Sequence, residues 1–232
     1  GMAKGAVKEE PVQAEVTDVA GEWRRLLVRR YNHQLAGLQR EFPHNRSLYI
    51  DYRTILPQRL ADAVLETPGK VIEDIRDALV QHKTVDEKDR DRVNIRFTNL
   101  LVKTPIRDIR ADQMNKYLTV EGILRKTTEV RPRIVEAALR CTSCGKITTI
   151  PQAYGKFQEP DFCPGCEKKA RMDLVASRSR FTDSQKLRIQ EAPEGLRGGE
   201  QPQTMDVDVI DDLTGRVAPG DRVVINGILR TI

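Results

Sequence analysis

Cys141-Thr142-Ser143-Cys144-Gly145 and, further along, Cys163-Pro164-Gly165-Cys166 place two close pairs of thiols near the middle of the chain. Eighteen residues separate the pairs, within the C-x₂-C-x₁₅₋₂₀-C-x₂-C spacing read as a tetrahedral zinc site. Gly145, Pro164 and Gly165 supply the backbone freedom that lets two sulfurs of one knuckle converge on an ion at about 2.3 Å. Cys141, Cys144, Cys163 and Cys166 would fill every coordination position, so the expected metal is a structural Zn²⁺, one per chain, with no open site for water. Its work is to hold together a hairpin too small to own a hydrophobic core. All four cysteines of the chain lie in this cluster. A disulfide-stapled secreted domain would spread more of them over a shorter length, so a reducing compartment is expected.

Upstream of the cluster the apolar period is helical. Trp23, Leu26, Leu27, Tyr31, Leu35, Leu38 and Phe42 recur at steps of three or four, which predicts one long helix over 18–42 with a buried stripe. A second helix is expected over 56–65, with Pro57 in its first turn, and a third after Thr67 as N-cap and Pro68 at N1. The mixed-sign stretch 86–92 reads as a short exposed helix or linker with a solvated face, and the domain boundary is placed there. Beyond it the period shortens to two: 93–101, 117–124, 134–139, 186–190, 205–210 and 222–229 are rich in β-branched residues and predict strands. The expected architecture is α+β and multidomain, a helical bundle followed by a small β-barrel that carries the zinc-bound segment as an insertion.

The 232 residues carry 39 Lys plus Arg against 34 Asp plus Glu, a formal charge of +5, which permits a polyanionic partner without requiring one. Within the strand half, Arg125, Lys126, Arg131 and Arg133 flank one turn, and Lys186 and Arg188 share a strand face. Few aromatic residues lie on these strands, so nucleic-acid contact is expected to be through phosphates and to weaken with salt. No G-x-x-x-x-G-K-[ST] loop occurs, which excludes an ATP site of that kind from this chain, and His33, His44 and His82 are scattered without a nucleophile beside them. Asp211-Asp212 reads as a turn between strands. No apolar run reaches the length of a membrane span. Gly1 before Met2 reads as a tag remnant ahead of a flexible arm over 1–17.

Several stretches in combination resemble the amino-terminal region of an archaeal MCM protein, of the replicative DNA helicase family: Glu22-Trp23-Arg24-Arg25, Arg46-Ser47-Leu48-Tyr49-Ile50-Asp51-Tyr52, Val120-Glu121-Gly122-Ile123, the paired cysteines, Leu187-Arg188-Ile189-Gln190-Glu191, Pro193-Glu194-Gly195-Leu196-Arg197-Gly198-Gly199-Glu200-Gln201-Pro202 and Pro219-Gly220-Asp221. The resemblance implies a helical A subdomain over 18–92, an OB-fold in two parts over 93–137 and 172–232, and a zinc-ribbon-like subdomain over 138–171 inserted between them. It implies DNA contacts at Lys126, Arg131, Arg188 and Arg197, and places Gln203 where some relatives have a further basic residue. The loop 192–203, with Glu194, Gly198, Gly199 and Glu200, corresponds to the family loop that communicates with the ATPase tier. The implied assembly is a homo-hexamer, or a head-to-head double hexamer through the zinc subdomains, around DNA, single-stranded by expectation, in the cytoplasm of an archaeal cell at its nucleoid. Relatives continue beyond residue 232 into a pore hairpin and an AAA+ motor that uses ATP and Mg²⁺, so this stretch is expected to act without catalysis, as a DNA-binding and assembly collar. The competing expectation is an oligomerisation and regulatory scaffold with little DNA affinity of its own.

Overall fold

The computed structural model describes residues 18–153 and 155–230; the arm expected over 1–17 lies outside them. Asp18 opens the first helix, α1 (Val19–Arg30), by accepting the Gly21 N–H at 2.9 Å. The expected single helix over 18–42 is interrupted at Tyr31 (φ −124°, ψ 20°), and α2 (Asn32–Glu41) begins beyond it. The Tyr31 hydroxyl lies 2.7 Å from Thr54 Oγ1 and accepts the Asp51 N–H at 2.8 Å. A side chain anchored to a neighbouring turn thus accompanies the break, while Trp23, Leu26 and Leu27 on one side of it and Leu35 and Leu38 on the other stay buried in one core. Helices α3 (Gln58–Glu66) and α4 (Pro68–Gln81) follow, with Pro57 and Thr67 at their N-caps. Helix α4, at 14 residues, is the longest of those described.

Strand β1 (Ser47–Asp51) runs parallel to β2 (Asn94–Thr98) in register from Ser47 opposite Asn94 to Asp51 opposite Thr98. Val93, Ile95 and Phe97 are buried among the helices, so a boundary drawn at Arg92 falls inside a continuous core. The same core takes in Tyr117, whose ring meets Phe97 edge-on at 5.6 Å while Phe97 meets Trp23 at 6.4 Å. Tyr117 opens β3 (Tyr117–Thr127). Of the two alternatives for the charged stretch, a short helix is present, in 3₁₀ form over Glu87–Arg92.

The remaining strands are β4 (Arg131–Cys141), β5 (Ile147–Pro151), β6 (Met172–Leu174), β7 (Arg180–Gln190), β8 (Thr204–Ile210) and β9 (Arg222–Ile228). Strands β5 and β6, unforeseen from the period, both pair with β4. Strand β3 pairs antiparallel with β9 over its first part and with β7 over its last part. Strand β4 then continues along β7, with Arg131 opposite Ser184 and Glu136 opposite Arg180. The strands β3, β7, β8 and β9 enclose Val120, Leu124, Leu187, Ile189 and Val209, a second core.

Asp211 and Asp212 do more than turn the chain. They form a 3₁₀ turn after β8, with Asp211 at φ +56°, and grip the sheet of the helical unit. Ser47 Oγ donates to Asp212 at 2.8 Å, the Tyr49 hydroxyl donates to the same carboxylate, and Arg96 Nη2 lies 2.7 Å from it. Asn94 Nδ2 donates to Asp211 at 2.6 Å and Arg46 pairs with it at 3.0 Å. Burial alone would raise the Asp212 carboxyl, but the Tyr49 and Ser47 hydroxyls and the Arg96 guanidinium outweigh it and hold its pKa below the usual value. A carboxylate depressed in the folded state contributes stability that is complete above its unfolded pKa and is lost as pH falls through the folded one. Asp212→Ala is therefore expected to lower the unfolding free energy at neutral pH by about 2 kcal/mol, because three donors lose one acceptor. In urea titrations its deficit should shrink as the pH is taken below that carboxyl's folded pKa.

Candidate metal centre and nucleic-acid interface

The two knuckles are built alike from backbone hydrogen bonds. Cys141 N–H donates to the Lys146 carbonyl (2.9 Å) and Gly145 N–H to the Cys141 carbonyl (2.9 Å); Cys163 N–H donates to Lys168 (3.0 Å) and Glu167 N–H to Cys163 (2.8 Å). Each turn needs one residue of positive φ, Gly145 at 78° in the first and Glu167 at 59° in the second. Gly165, expected to supply turn freedom, serves by its lack of a side chain: a Cβ there would lie 2.6 Å from the Lys146 Cδ and 3.5 Å from the Cys144 sulfur.

All four sulfurs lie within 4.8 Å of one another. Cys141 Sγ is 3.8 Å from Cys166 Sγ, and Cys144 Sγ is 3.6 Å from Cys163 Sγ. A tetrahedron with arms of about 2.3 Å has edges of about 3.8 Å, so these separations are compatible with a structural zinc ion. The thiols also perturb one another. The Cys166 N–H, followed by that of Gly165, draws the Cys163 thiol down to about 6. At Cys144 the Lys146 N–H also favours the thiolate, but burial and the neighbouring thiols Cys163, Cys141 and Cys166 prevail and push it up to about 11. Four sulfurs this close cannot all ionise without a cation among them, and a divalent ion removes the conflict. Ala137, Leu139, Cys141, Cys163 and Met172 are the buried members of the local core, so two of the ligands are themselves part of the little that is packed there.

The basic residues separate into two places. Lys126 on β3 lies directly opposite Arg188 on β7, so their side chains share one face. Arg131 opens β4 further along the same edge of β7, with its side chain 76% exposed and 3.8 Å from Glu129. Arg197 stands apart, in the loop 192–203. A counter-charge unforeseen from the sequence is Asp206 of β8, which sits opposite Arg188 and accepts its Nε–H at 2.9 Å. Its carboxyl is held below the usual range by that bond. Lys186 has Asp208 opposite it in the same register.

The loop 192–203 is fastened by residues that spacing could not reveal. Arg107 donates to Glu191 through Nε at 2.8 Å and Nη2 at 3.0 Å, to the Gln201 carbonyl at 3.2 Å, and also pairs with Glu200. Glu194 pairs with Arg222. Gln203 is joined to Glu191 by reciprocal bonds, its N–H reaching the Glu191 carboxylate at 2.9 Å and its carbonyl accepting the Glu191 N–H at 3.0 Å. Gly199 takes φ +84° while Gly198 does not enter that region. Arg107→Ala is expected to speed cleavage within 192–203 by a non-specific protease about tenfold while leaving cleavage elsewhere unchanged, as read by peptide mapping. At the knuckles, Gly145→Ala should cost about 1 kcal/mol and hasten metal loss to a chelator, and Glu167→Gly should not, because it relaxes the same backbone strain.

No described helix is long and apolar enough to cross a membrane. Residues 105–232 match the family model described as MCM OB domain. Among solved structures, the crystal structure of the N-terminal domain of an archaeal MCM superposes with a TM-score of 0.79 at 30% identity, covering 93% of this chain and 90% of that one. DNA replication licensing factor mcm4 of Xenopus tropicalis is 30% identical over 61% of this chain and 16% of its own length. DNA replication licensing factor mcm6 of Schizosaccharomyces pombe is 34% identical over 57% of this chain and 15% of its own. The chain thus spans about a sixth of the length of such relatives.

Proposed function

The chain belongs to the MCM family, and from that premise we propose that it is the non-catalytic DNA-binding and ring-assembly collar of an ATP-dependent replicative DNA helicase. Cys141, Cys144, Cys163 and Cys166 hold one structural zinc, which closes the subdomain over 138–171. Lys126, Arg131, Arg188 and Arg197 contact the phosphates of DNA, single-stranded in the central channel of a homo-hexamer. Two such rings meet through their zinc subdomains. The loop 192–203, through Glu194, Gly198, Gly199 and Glu200, relays the state of a motor that carries the ATP and Mg²⁺ chemistry. In the cell the complex works on the nucleoid.

The observation that carries this reading is the cross-strand pair of Lys126 and Arg188. Like charges directly opposite on a sheet are unfavourable, and phosphate relieves the repulsion. Repetition around a ring turns one modest patch into a belt, with each phosphate neutralised adding about 0.7 to the salt slope on single strands. One feature favours the alternative, a scaffold with little affinity for DNA: the Arg188 guanidinium is already engaged by Asp206.

Light scattering with and without single-stranded DNA across a salt series separates the two readings. The collar predicts a hexamer or double hexamer, with binding that falls steeply with salt and is lost in R131E/R188E while the mass is unchanged. Unaltered residual binding in that variant would instead support the scaffold. Metal analysis should return one zinc per chain, and a folded sample free of zinc would overturn the proposed centre.

A further inference from the structure

Most arginines of this chain are engaged by a carboxylate or a carbonyl, as Arg53, Arg90, Arg96, Arg107 and Arg180 illustrate. Helix α1 departs from that habit. Arg24, Arg25, Arg29 and Arg30 make no ion pair and no side-chain hydrogen bond among the described residues, a condition shared elsewhere by Arg125, Arg140, Arg178 and Arg197 alone. At 3.6 residues per turn, Trp23, Leu26 and Leu27 occupy the buried side, and Arg24, Arg25 and Arg29 surround exposed Val28 on the opposite side. Arg30 lies at the helix end. The helix's one acid, Glu22, is taken by Arg59 at 2.5 Å. Arg25 and Arg29 are one turn apart, an arrangement of like charges that weakens a helix. The helix dipole accounts for cations in the last turn, Arg29 and Arg30, but offers nothing to Arg24 and Arg25 in the middle.

We propose that this face of α1 is a second nucleic-acid surface, separate from the barrel, which binds duplex DNA through its backbone phosphates. Arginine forks match phosphate oxygens in pairs. The face carries no free aromatic ring: Tyr31, at its end, is tied by its hydroxyl to Thr54 and Asp51. A surface without stacking groups has no grip on unpaired bases, so it depends on phosphate density, which is greatest on a duplex at one charge per about 1.7 Å. Because α1 lies in the helical unit and Lys126, Arg131 and Arg188 in the strand unit, the chain can hold two segments of DNA at once. The choice of DNA as the polyanion rests on the function proposed above.

The test is fluorescence anisotropy of the full chain with a labelled duplex and with one strand of that duplex, across a salt series. R24Q/R25Q/R29Q/R30Q is expected to weaken duplex binding about tenfold or more and to reduce the log–log salt slope by about 3.6, at about 0.9 for each phosphate no longer neutralised. Its single-strand binding should be unchanged. K126Q/R131Q/R188Q should lose the single strand and keep the duplex; if it keeps both, the barrel reading fails while this one stands. R25Q/R29Q, with about half the change in slope, serves if the fourfold variant melts early. Duplex affinity and slope equal to the parent in the arginine variants would overturn the proposal. So would a loss confined to phosphatidylserine vesicles, which would make the face a membrane contact.

Discussion

Strand β7 has two edges and three partners, and the arrangement of the strand half follows from how they share it. Strand β8 takes one edge from Ser184 to Gln190, while β3 and then β4 take the other in succession, from Gln190 back to Arg180. Residues 123–136 therefore run as one band along β7 with a short interruption, where Thr128 stays attached through its N–H to the Lys186 carbonyl at 3.0 Å and accepts the Lys186 N–H at 3.0 Å. The barrel core and the segment that carries the four thiols are two stretches of one ribbon. Gly122 marks the point where β3 passes from β9 to β7, since a Cβ there would stand 2.5 Å from the Gln190 carbonyl oxygen. The glycine of that motif is explained by close approach of backbones rather than by unusual dihedrals.

The helical unit is joined to this ribbon by two contrasting devices. One is apolar, the succession of rings Trp23, Phe97 and Tyr117 that carries a single core across the junction. The other is polar and lies around Asp211 and Asp212, where hydroxyls, an amide and guanidinium groups converge on two carboxylates. Ring packing is tolerant in angle, whereas hydrogen bonds to a carboxylate fix direction. Together they set both the contact and the orientation of the two units.

Much of this was legible in the residues alone. The thiol spacing anticipated the cluster of four sulfurs, because coordination geometry depends on residue type and a short interval, both written locally. The helical and strand halves declared themselves through periodicity, with six strands anticipated near their observed places. What escaped reading was non-local. The break at Tyr31 preserves the apolar period, so the stripe continues while the helix does not. Strand β2 alternates like the strands of the barrel, yet its partner is β1, forty-seven residues earlier in register, and that choice moves the boundary. Asp206 beneath Arg188 and Arg107 across the loop 192–203 are partners by register and by tertiary approach, for which spacing carries no signal. The knuckles show a finer case: Glu167 occupies the left-handed position that Gly145 holds in the other turn, so composition alone hides their equivalence.

The ribbon also has a mechanical meaning. From Glu136, the last residue of β4 paired with β7, to Cys141 at the end of the strand there are five residue steps, which an extended strand covers in at most about 17 Å. The thiol centre therefore sits at the tip of an arm that leaves β7 just past the irregular pairing between Ile134 and Glu136. A tilt of one degree at that point displaces the tip by about 0.3 Å on this length. Arg131 opens and Cys141 closes the same strand, so a shift of that strand along β7 beside the basic row is carried to the thiols and not absorbed between them.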